Sequence, residues 1–338
     1  MFKTILVTGG AGFIGSNFIP YFCKKYPKYH IINLDMLTYA GNLDNLSECK
    51  FMSNYTFIQG DICNRDLVRK IFDKNDIRGV IHFAAESHVD NSIKNPEIFV
   101  KTNIEGTFVL IDIAYHYWME APHKIKSDYK DCRFHHISTD EVYGTLGKTG
   151  YFSEATPYAP NSPYSASKAS SDFIVRAFHH TFGINVTISN CSNNYGPKQH
   201  SEKLIPTVIR NALTEKPIPI YGKGDNIRDW LYVIDHCKAI DLIFHKGISG
   251  ETYNIGGHNE RNNIIIAQTI CEILDQKYPR KNDQKYSTLI SFVPDRAGHD
   301  FRYAIDSGKI MQDLGWKAEE TFDTGIEKTI DWYLEKWL

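Results

Sequence analysis

Several signatures of membrane, secreted and metal-binding proteins are missing from this chain. No uninterrupted apolar run among its 338 residues reaches the ~18–20 needed to cross a bilayer, and the apolar run that follows Met1-Phe2-Lys3 leaves no room for a signal peptide. The seven cysteines are never spaced as Cys-x-x-Cys and the fourteen histidines lack ligand-like spacing, which indicates reduced thiols and no metal site. A net charge of −2 gives no electrostatic reason to bind nucleic acid or an anionic membrane. We therefore expect a cytoplasmic protein without a metal, nucleic-acid or membrane partner.

Short apolar strands alternate with helical patterns through the first 190 residues. The pattern predicts strands at 4–8, 30–34, 55–59, 79–83, 134–138 and 185–190, and helices at 13–22, 99–117 and 165–182. This alternation predicts an α/β fold with a doubly wound parallel sheet. Since single cores stop growing at roughly 250–300 residues, we also expect a second, smaller mixed α/β domain. We place the first domain at 1–190, with a returning segment near 229–256, and the second at 191–228 and 257–338.

A glycine cluster lies between the first strand and the first helix. It reads Gly9-Gly10-Ala11-Gly12-Phe13-Ile14-Gly15, and Asp35 ends the next strand twenty residues later. Glycines let the backbone approach a pyrophosphate, and the carboxylate would bind the adenosine ribose hydroxyls and repel a 2′-phosphate. Asp61, expected to end the third strand, is placed to contact the adenine edge. The pattern predicts a Rossmann-type domain that binds NAD rather than NADP; the alternative is a tight glycine turn with capping aspartates.

Tyr164 and Lys168 are four residues apart at a helix start, so their side chains share one face. An ammonium near the phenol, together with the positive nicotinamide, would favour the phenolate. Tyr164 could then take a proton from a sugar hydroxyl as hydride leaves the same carbon. A surface i,i+4 pair is the alternative.

Thr139, Asp140 and Glu141 stand together at the predicted end of a strand. A simple dehydrogenase needs only a hydroxyl and the tyrosine. Two additional carboxyl groups favour a site that also moves a proton on carbon and expels a leaving group. The alternative is that Asp140 caps a turn and Glu141 is solvated.

These motifs and several others occur in one order along almost the whole chain. The chain resembles the dTDP-glucose 4,6-dehydratase family, a branch of the nucleoside-diphosphate-glucose 4,6-dehydratases within the extended short-chain dehydrogenases. Besides the glycine cluster, the blocks that carry the resemblance are 37–42 (LTYAGN), 84–90 (AAESHVD), 138–144 (STDEVYG), 162–168 (SPYSASK), 190–197 (NCSNNYGP), 228–230 (RDW) and 253–257 (YNIGG).

The resemblance implies a lyase that dehydrates a nucleoside-diphosphate-glucose to a 4-keto-6-deoxy sugar, which feeds rhamnose and other deoxysugars. Tyr164 would act as base while hydride passes from sugar C4 to NAD, and Thr139 would hydrogen-bond the C4 oxygen. Glu141 would remove the C5 proton, Asp140 would protonate the C6 hydroxyl, and hydride would return to C6. NAD would stay tightly bound and be regenerated in place.

The resemblance also assigns binding residues by position. For the cofactor these are Gly9, Gly12, Phe13, Ile14, Gly15, Asp35, Leu37, Thr38, Asp61, Ile62, Phe83, Ala84, Ala85, Ser87, Thr102, Tyr164, Lys168 and Asn194. For the nucleotide sugar, in the second domain and beside the catalytic residues, they are Ser87, His88, Thr139, Asn193, Lys203, Leu204, Pro219, Ile220, Tyr221, Arg228, Asn263, Asp295, Arg296 and His299. The family also forms homodimers through two long helices, which here correspond to 99–117 and 165–182.

The sequence departs from the family pattern at Met36, Asn91, 198–201 (KQHS), Ala297 and Phe301. None of these belongs to the catalytic set, but several lie near the expected nucleotide site, so UDP-glucose is an alternative to dTDP-glucose. The two bases differ by one methyl group, worth ~1 kcal/mol of burial. A UDP-sugar 4-epimerase or a UDP-glucuronate decarboxylase would share the fold without needing Asp140 and Glu141. A non-catalytic dinucleotide sensor would be expected to lose the tyrosine, the lysine or the acids.

Overall fold

The computed structural model describes residues 3–295 and 298–338. The strands in these residues are β1 (Lys3–Thr8), β2 (Tyr29–Asp35), β3 (Tyr55–Gln59), β4 (Ile77–His82), β5 (Met119–Ala121), β6 (Lys124–Ile125), β7 (Arg133–Thr139), β8 (Val186–Cys191), β9 (Asn193–Tyr195), β10 (Ile218–Tyr221), β11 (Ile227–Tyr232), β12 (Thr252–Ile255), β13 (Glu260–Asn262) and β14 (Ile290–Val293). The α-helices are α1 (Phe13–Lys25), α2 (Arg65–Asn75), α3 (Val89–Lys94), α4 (Pro96–Phe99), α5 (Gly106–Trp118), α6 (Pro163–Phe182), α7 (Leu204–Leu213), α8 (Val233–Lys246), α9 (Asn263–Lys277), α10 (Gly308–Leu314) and α11 (Phe322–Trp337).

A seven-stranded parallel sheet in the order β12-β8-β7-β4-β1-β2-β3 forms the centre of the molecule. Its strands are apolar on both faces because helices cover both: α2, α5 and α6 pack on one side, and α1 and α8 on the other. The strand order reverses between β1 and β4, where a doubly wound sheet opens a crevice for a ligand. The predicted α/β doubly wound sheet is confirmed, and β12, which lies in the segment expected to return to the first domain, pairs with β8 at the edge of the sheet.

The single helix expected at 99–117 is instead interrupted. The chain forms α4, a π-helical turn at Val100–Glu105, and then α5. In the π-helical turn the Asn103 side chain accepts from the Glu86 N–H at 2.8 Å, and it donates to the Glu86 carbonyl at 3.0 Å and to the Ser167 hydroxyl at 2.8 Å. Apolar spacing could not reveal this turn, because side-chain contacts with distant residues stabilise it.

The second part of the chain builds a separate apolar core around two small sheets. The sheets have the orders β13-β11-β9 and β10-β14, and α7, α9 and α11 contribute to the core. Its large buried side chains include Tyr195, Trp230, Phe322 and Tyr333. This lobe borders the carboxyl ends of the central strands, since β9 follows β8 directly. None of the described helices is long and apolar enough to cross a membrane.

Candidate active site

A cavity of about 450 Å³ opens at the carboxyl ends of the central strands, at the reversal of strand order. Residues that follow β1, β2, β3, β4, β7 and β8 line it, and α6 closes one side. All five predicted catalytic residues and all predicted cofactor residues except Leu37 line this one cavity. Residues far apart in the sequence therefore meet where a doubly wound sheet binds its ligand.

The glycine cluster forms the turn that connects β1 to α1. Gly9 has φ +71°, and a Cβ at this position would lie 2.5 Å from the Ala84 nitrogen. Gly12 has φ −75° and precedes α1, and a Cβ there would meet only the Gly9 oxygen, at 3.3 Å, among the described residues. Gly12 therefore leaves space open beside the first turn of α1, whose residues Phe13, Ile14 and Gly15 line the cavity. This geometry fits a pyrophosphate group.

Asp35, at the end of β2, is buried and held by backbone donors. Its Oδ2 accepts from the Ala11 N–H and its Oδ1 from the Leu37 N–H, both at 2.8 Å, and burial raises the pKa of this carboxyl. Leu37, which does not line the cavity, thus positions the carboxylate through its backbone. Asp61 does line the cavity, but it does not end a strand as expected, since β3 stops at Gln59.

The acid pair follows β7 directly. Thr139 ends this strand, and a 3₁₀-helix begins at Asp140, which is 1% exposed. Thr139 Oγ1 donates to Asp140 Oδ1 at 3.3 Å, while Asp140 Oδ2 has no hydrogen-bond partner among the described residues. Burial, and then the charges of Glu141 and Asp229, raise the pKa of Asp140 well above its usual range, and Arg228 opposes this. Asp140 is therefore suited to hold a proton near neutral pH.

Tyr164 is placed by the start of α6. Ser162 caps this helix and exchanges reciprocal hydrogen bonds with Ser165, and Pro163 occupies its first turn. Burial, and then the charges of Glu141 and Cys191, raise the pKa of Tyr164 well above its usual value, and a Thr139 contribution opposes this. Desolvation, which sequence spacing does not report, therefore opposes the phenolate that Lys168 and a positive nicotinamide are expected to favour.

Lys168 is also buried, and it contacts a cluster that our sequence analysis did not identify. Its Nζ donates to the Ile137 carbonyl at 2.8 Å and lies 3.4 Å from His136 Nε2, which is 3.1 Å from Asp172 Oδ1. Burial lowers the pKa of Lys168 to about 8, and Asp172 partly opposes this. The sequence contained one indication of this cluster. Tyr164, Lys168 and Asp172 are spaced four residues apart, which places all three on one face of α6.

The predicted substrate residues do not all come together. Ser87, Thr139, Asn193 and Lys203 line the cavity. The following residues do not: His88, Leu204, Pro219, Ile220, Tyr221, Arg228, Asn263, Asp295 and His299. Arg296 lies outside the described residues.

Two groups of these residues lie in the second lobe. The His299 imidazole lies 2.6 Å from Asp295 Oδ1, and its ring packs edge-on against Tyr221 at 6.2 Å. Arg228 is buried, donates to the carbonyls of Ile227 and Asp300, and stacks 4.2 Å from the ring centroid of Tyr303. Burial raises the pKa of Asp140, and the charge of Arg228 partly opposes this.

The cavity also has lining residues that were not predicted. Glu86, Gln199, His200 and Glu202 belong to this group, and burial and the Glu202 charge raise the pKa of Glu86. Three of the four come from the segment after Pro197, and two of them, Gln199 and His200, lie in the stretch 198–201 that departs from the family pattern. The remaining lining residues that were not predicted are Leu34, Met36, Ala40, Gly41, Gly60, Ile98, Lys101, Ile137, Ser138, Cys191 and Ser192. Among the described residues, no three His, Cys, Asp or Glu side chains are grouped to hold a metal ion.

Comparison with known proteins gives consistent matches over nearly the whole chain. Residues 6–329 match the family described as GDP-mannose 4,6 dehydratase. The chain is 52% identical over 331 residues to the dTDP-glucose 4,6-dehydratase of Xanthomonas campestris pv. campestris (strain B100), covering 98% of this chain and 93% of that protein.

Two solved structures are also similar. The dTDP-glucose 4,6-dehydratase of Bacillus anthracis in complex with NAD has a TM-score of 0.86 and 45% identity, covering 99% of this chain and 97% of that one. The dTDP-glucose 4,6-dehydratase of Streptomyces venezuelae with NAD and TYD bound has a TM-score of 0.89 and 40% identity, covering 98% and 97%.

Proposed function

The chain belongs to the dTDP-glucose 4,6-dehydratase family, and we propose that its cavity converts dTDP-glucose to the 4-keto-6-deoxy sugar with NAD as cofactor. The observation that carries this proposal is the buried Asp140, whose raised pKa suits a general acid, beside Glu141 and Tyr164 in one cavity. An epimerase or a decarboxylase of the same fold needs no such acid pair.

The residues of the cavity fit NAD. The turn at Gly9 and Gly12 leaves room for the pyrophosphate beside α1, and Asp35 faces the position of the adenosine ribose. Lys168 and Tyr164 line the same cavity, where they would border the nicotinamide. When bound, NAD accepts a hydride from sugar C4 and later returns it to C6.

The residues of the chain supply the proton transfers. Tyr164 takes the proton from the C4 hydroxyl, and Thr139 hydrogen-bonds the same oxygen. The resulting ketone acidifies the C5 proton, which Glu141 removes. Asp140 protonates the C6 hydroxyl, so that it leaves as water. Burial of Asp140 serves this step, because it keeps the carboxyl protonated until the leaving group needs the proton.

The sugar nucleotide would extend from the acid pair toward the second lobe. Ser87, Asn193 and Lys203 line the cavity, and the second lobe also holds Arg228, Tyr221 and His299. We assign the diphosphate to the cationic residues and the base to the surroundings of Tyr221. This gives the lobe at 191–228 and 257–338 the role of substrate domain, and residues 1–190 with 229–256 that of the NAD domain.

The direct test offers the purified protein dTDP-glucose and UDP-glucose separately, without added cofactor, and follows product mass. We expect loss of one water with no net accumulation of NADH, and faster turnover of dTDP-glucose. A variant carrying Asp140→Asn and Glu141→Gln is the matched control, since it keeps shape and removes both proton-transfer groups. An unchanged mass with a galactose product would instead indicate an epimerase, and no turnover even with added NAD would indicate a sensor.

We also propose a homodimer formed through α5 and α6. Each helix carries an exposed phenylalanine, Phe108 at 40% and Phe173 at 56%, whereas Val175 and Phe178 belong to the internal core. Light scattering should give the mass of a dimer, and Phe173→Glu should shift it toward the monomer. A cytoplasmic location is proposed from the seven cysteines, all free thiols and six of them buried.

A further inference from the structure

One segment of the second lobe reaches over the cavity that we assign to NAD. This crossing segment, residues 197–203, follows β9, and four of its residues line the cavity together with the glycine turn: Gln199, His200, Glu202 and Lys203. NAD bound in the cavity would therefore lie against the crossing segment on one side and against the NAD domain on the other.

The crossing segment contacts the NAD domain beyond three adjacent strands of the central sheet. After β4, the Ser87 carbonyl accepts from Lys203 Nζ at 3.1 Å. After β2, the Tyr39 ring packs edge-on against His200, with the ring centroids 5.6 Å apart. After β1, helix α1 contacts the start of the segment. Because β4, β1 and β2 are neighbours in the sheet, these contacts span the edge at which NAD is expected, and the segment has to move before the cofactor can leave.

Lys198 makes a well-defined contact with α1. Its Nζ donates to the Ser16 carbonyl at 2.9 Å and pairs with Glu48 Oε1 at 3.2 Å, and only 13% of its side chain is exposed. Beside it, the Asn17 side chain donates to the Pro197 carbonyl at 2.9 Å. Lys198 has φ +69°, a left-handed conformation that a residue with a side chain keeps only where its surroundings impose it. The docked lysine therefore holds the chain in a conformation that it would not otherwise favour.

The sequence of α1 explains why Ser16 can accept this hydrogen bond. In a regular helix its carbonyl accepts from the N–H group four residues later. That residue is Pro20, which lies inside α1 and has no N–H. Ser16 is buried, and leaving a buried carbonyl unpaired is costly. Lys198 supplies the donor that Pro20 cannot, so α1 favours the docked position of the lysine.

The other contacts of the crossing segment stay within the second lobe. The Tyr333 hydroxyl donates to the Gln199 carbonyl at 2.7 Å, and Gln199 Nε2 donates to the Asn194 carbonyl at 2.9 Å. These two contacts do not join the lobes, so they do not oppose the release of NAD. The contact of Lys198 with α1 does, because it connects the two lobes across the cavity.

We infer that Lys198 is a positioning residue that retains NAD, a role that rests on the proposed function because that reaction regenerates NAD in place. By docking on the carbonyl that Pro20 leaves without its helical donor, Lys198 holds the crossing segment over the bound cofactor between turnovers. Lys198 itself does not line the cavity, so it acts on the release of NAD and not on hydride or proton transfer.

The test measures the rate at which the holoenzyme releases radiolabelled NAD into an excess of unlabelled NAD. Lys198→Met keeps the apolar stem and removes the donor, so release should become roughly tenfold faster, the effect of losing one hydrogen bond from a charged group. Lys198→Arg keeps a charged donor and should restore most of the retention. At saturating NAD, the kcat of Lys198→Met should equal that of the wild type.

Lys24→Met is the matched control. Lys24 also pairs with Glu48, at 2.6 Å, but both partners of this ion pair lie in the NAD domain. Its loss should therefore leave the release of NAD unchanged.

Pro20→Ala gives an independent test that leaves the crossing segment unaltered. The restored N–H would compete with Lys198 for the Ser16 carbonyl, so NAD should leave faster even though α1 gains helix propensity. Because the two changes act on one hydrogen bond, Lys198→Met should have a smaller effect in the Pro20→Ala background than in the wild type.

Release at the wild-type rate from Lys198→Met, or equal acceleration by Lys24→Met, would overturn the retention of NAD by Lys198. A lowered kcat of Lys198→Met at saturating NAD would overturn its assignment to release. Equal effects of Lys198→Met with and without Pro20→Ala would overturn the role of the Ser16 carbonyl. Release is measured without dTDP-glucose, so a wild type that retains NAD but does not dehydrate the sugar nucleotide would refute the proposed function alone.

Discussion

The two glycines of the turn between β1 and α1 should respond to the same substitution in opposite ways. An alanine at position 9 would be held at φ +71° with its Cβ 2.5 Å from the Ala84 nitrogen and 2.6 Å from the Ala84 Cα. The left-handed conformation costs ~1–2 kcal/mol, and contact with immovable backbone adds ~1–3 kcal/mol of overpacking. We therefore expect Gly9→Ala to lower the free energy of unfolding by roughly 2–5 kcal/mol.

Gly12→Ala should leave folding almost unchanged. Its φ of −75° is open to any residue, and the new Cβ meets only the Gly9 oxygen, at 3.3 Å, in the part of the chain that the structure describes. The unfolded chain loses entropy, which gives a gain of up to ~1 kcal/mol. The methyl group would, however, occupy the space assigned to the pyrophosphate. We expect at least a tenfold weaker affinity for NAD, or about 1.4 kcal/mol.

Denaturant unfolding without NAD measures the change in the free energy of unfolding. The rise of Tm with added NAD, together with the NAD released from the purified protein by denaturation, measures the change in affinity for NAD. Gly12→Ala should unfold like the wild type but gain less stability from NAD. A Gly12→Ala protein that retains the full NAD-dependent stabilisation would show that the pyrophosphate does not lie beside α1. A Gly9→Ala protein as stable as the wild type would refute the reasoning about backbone contact.

Three further predictions concern buried titratable groups. Asp140→Asn should slow loss of water by ~10²–10⁴-fold while C4 oxidation persists, because the amide cannot supply a proton; normal water loss by product mass would exclude Asp140 as the acid. With the pKa of Lys168 lowered by burial to about 8, kcat/KM should fall as the pH rises through that value, and Asp172→Asn should move this alkaline limb to lower pH, since the Asp172 charge raises the pKa of Lys168. An unmoved limb would contradict that coupling. Burial alone would raise the pKa of Asp241, but hydrogen bonds from His245, Lys25 and two tyrosines outweigh it and lower the pKa to about 2. The ionised carboxylate therefore contributes roughly 2 kcal/mol of stability, which is present above the ordinary pKa of 3.8 and is lost as the pH falls toward 2. Asp241→Asn should lower the free energy of unfolding by about that much at pH 7. The same substitution should make the free energy of unfolding depend less on pH between pH 4 and 2.

Local sequence patterns predicted most of the cavity residues that we expect to contact NAD. The turn at Gly9–Gly15 and the carboxylate of Asp35 lie within one strand–turn–helix–strand unit, where spacing along the chain fixes position in space. The same holds for Tyr164 and Lys168, because four residues on a helix bring two side chains to one face. Thr139, Asp140 and Glu141 were predictable as a group because they leave one strand at the edge of the sheet where ligands bind.

The substrate-binding residues were harder to predict from the sequence, since they come from separate segments of the chain. Lys203 reaches the cavity, whereas Arg228 lies buried beside it, and nothing in their local sequence distinguishes these outcomes. The π-helical turn at Val100–Glu105 was missed because Asn103 stabilises it through contacts with Glu86 and Ser167, which are distant in the sequence.

The sequence by itself predicted the alternation of strands and helices over the first 190 residues, the use of NAD, and the residues that we propose as the acid, the base and the tyrosine. Only the tertiary structure decided their protonation and their connections. Asp140 and Tyr164 have raised pKa values because the folded chain removes both from water and places them near Glu141. His136 adjoins Lys168 and Asp172 because β7 packs against α6. The sequence specifies which residues are present and how they are spaced along the chain, whereas desolvation and long-range contacts exist only after the chain has folded.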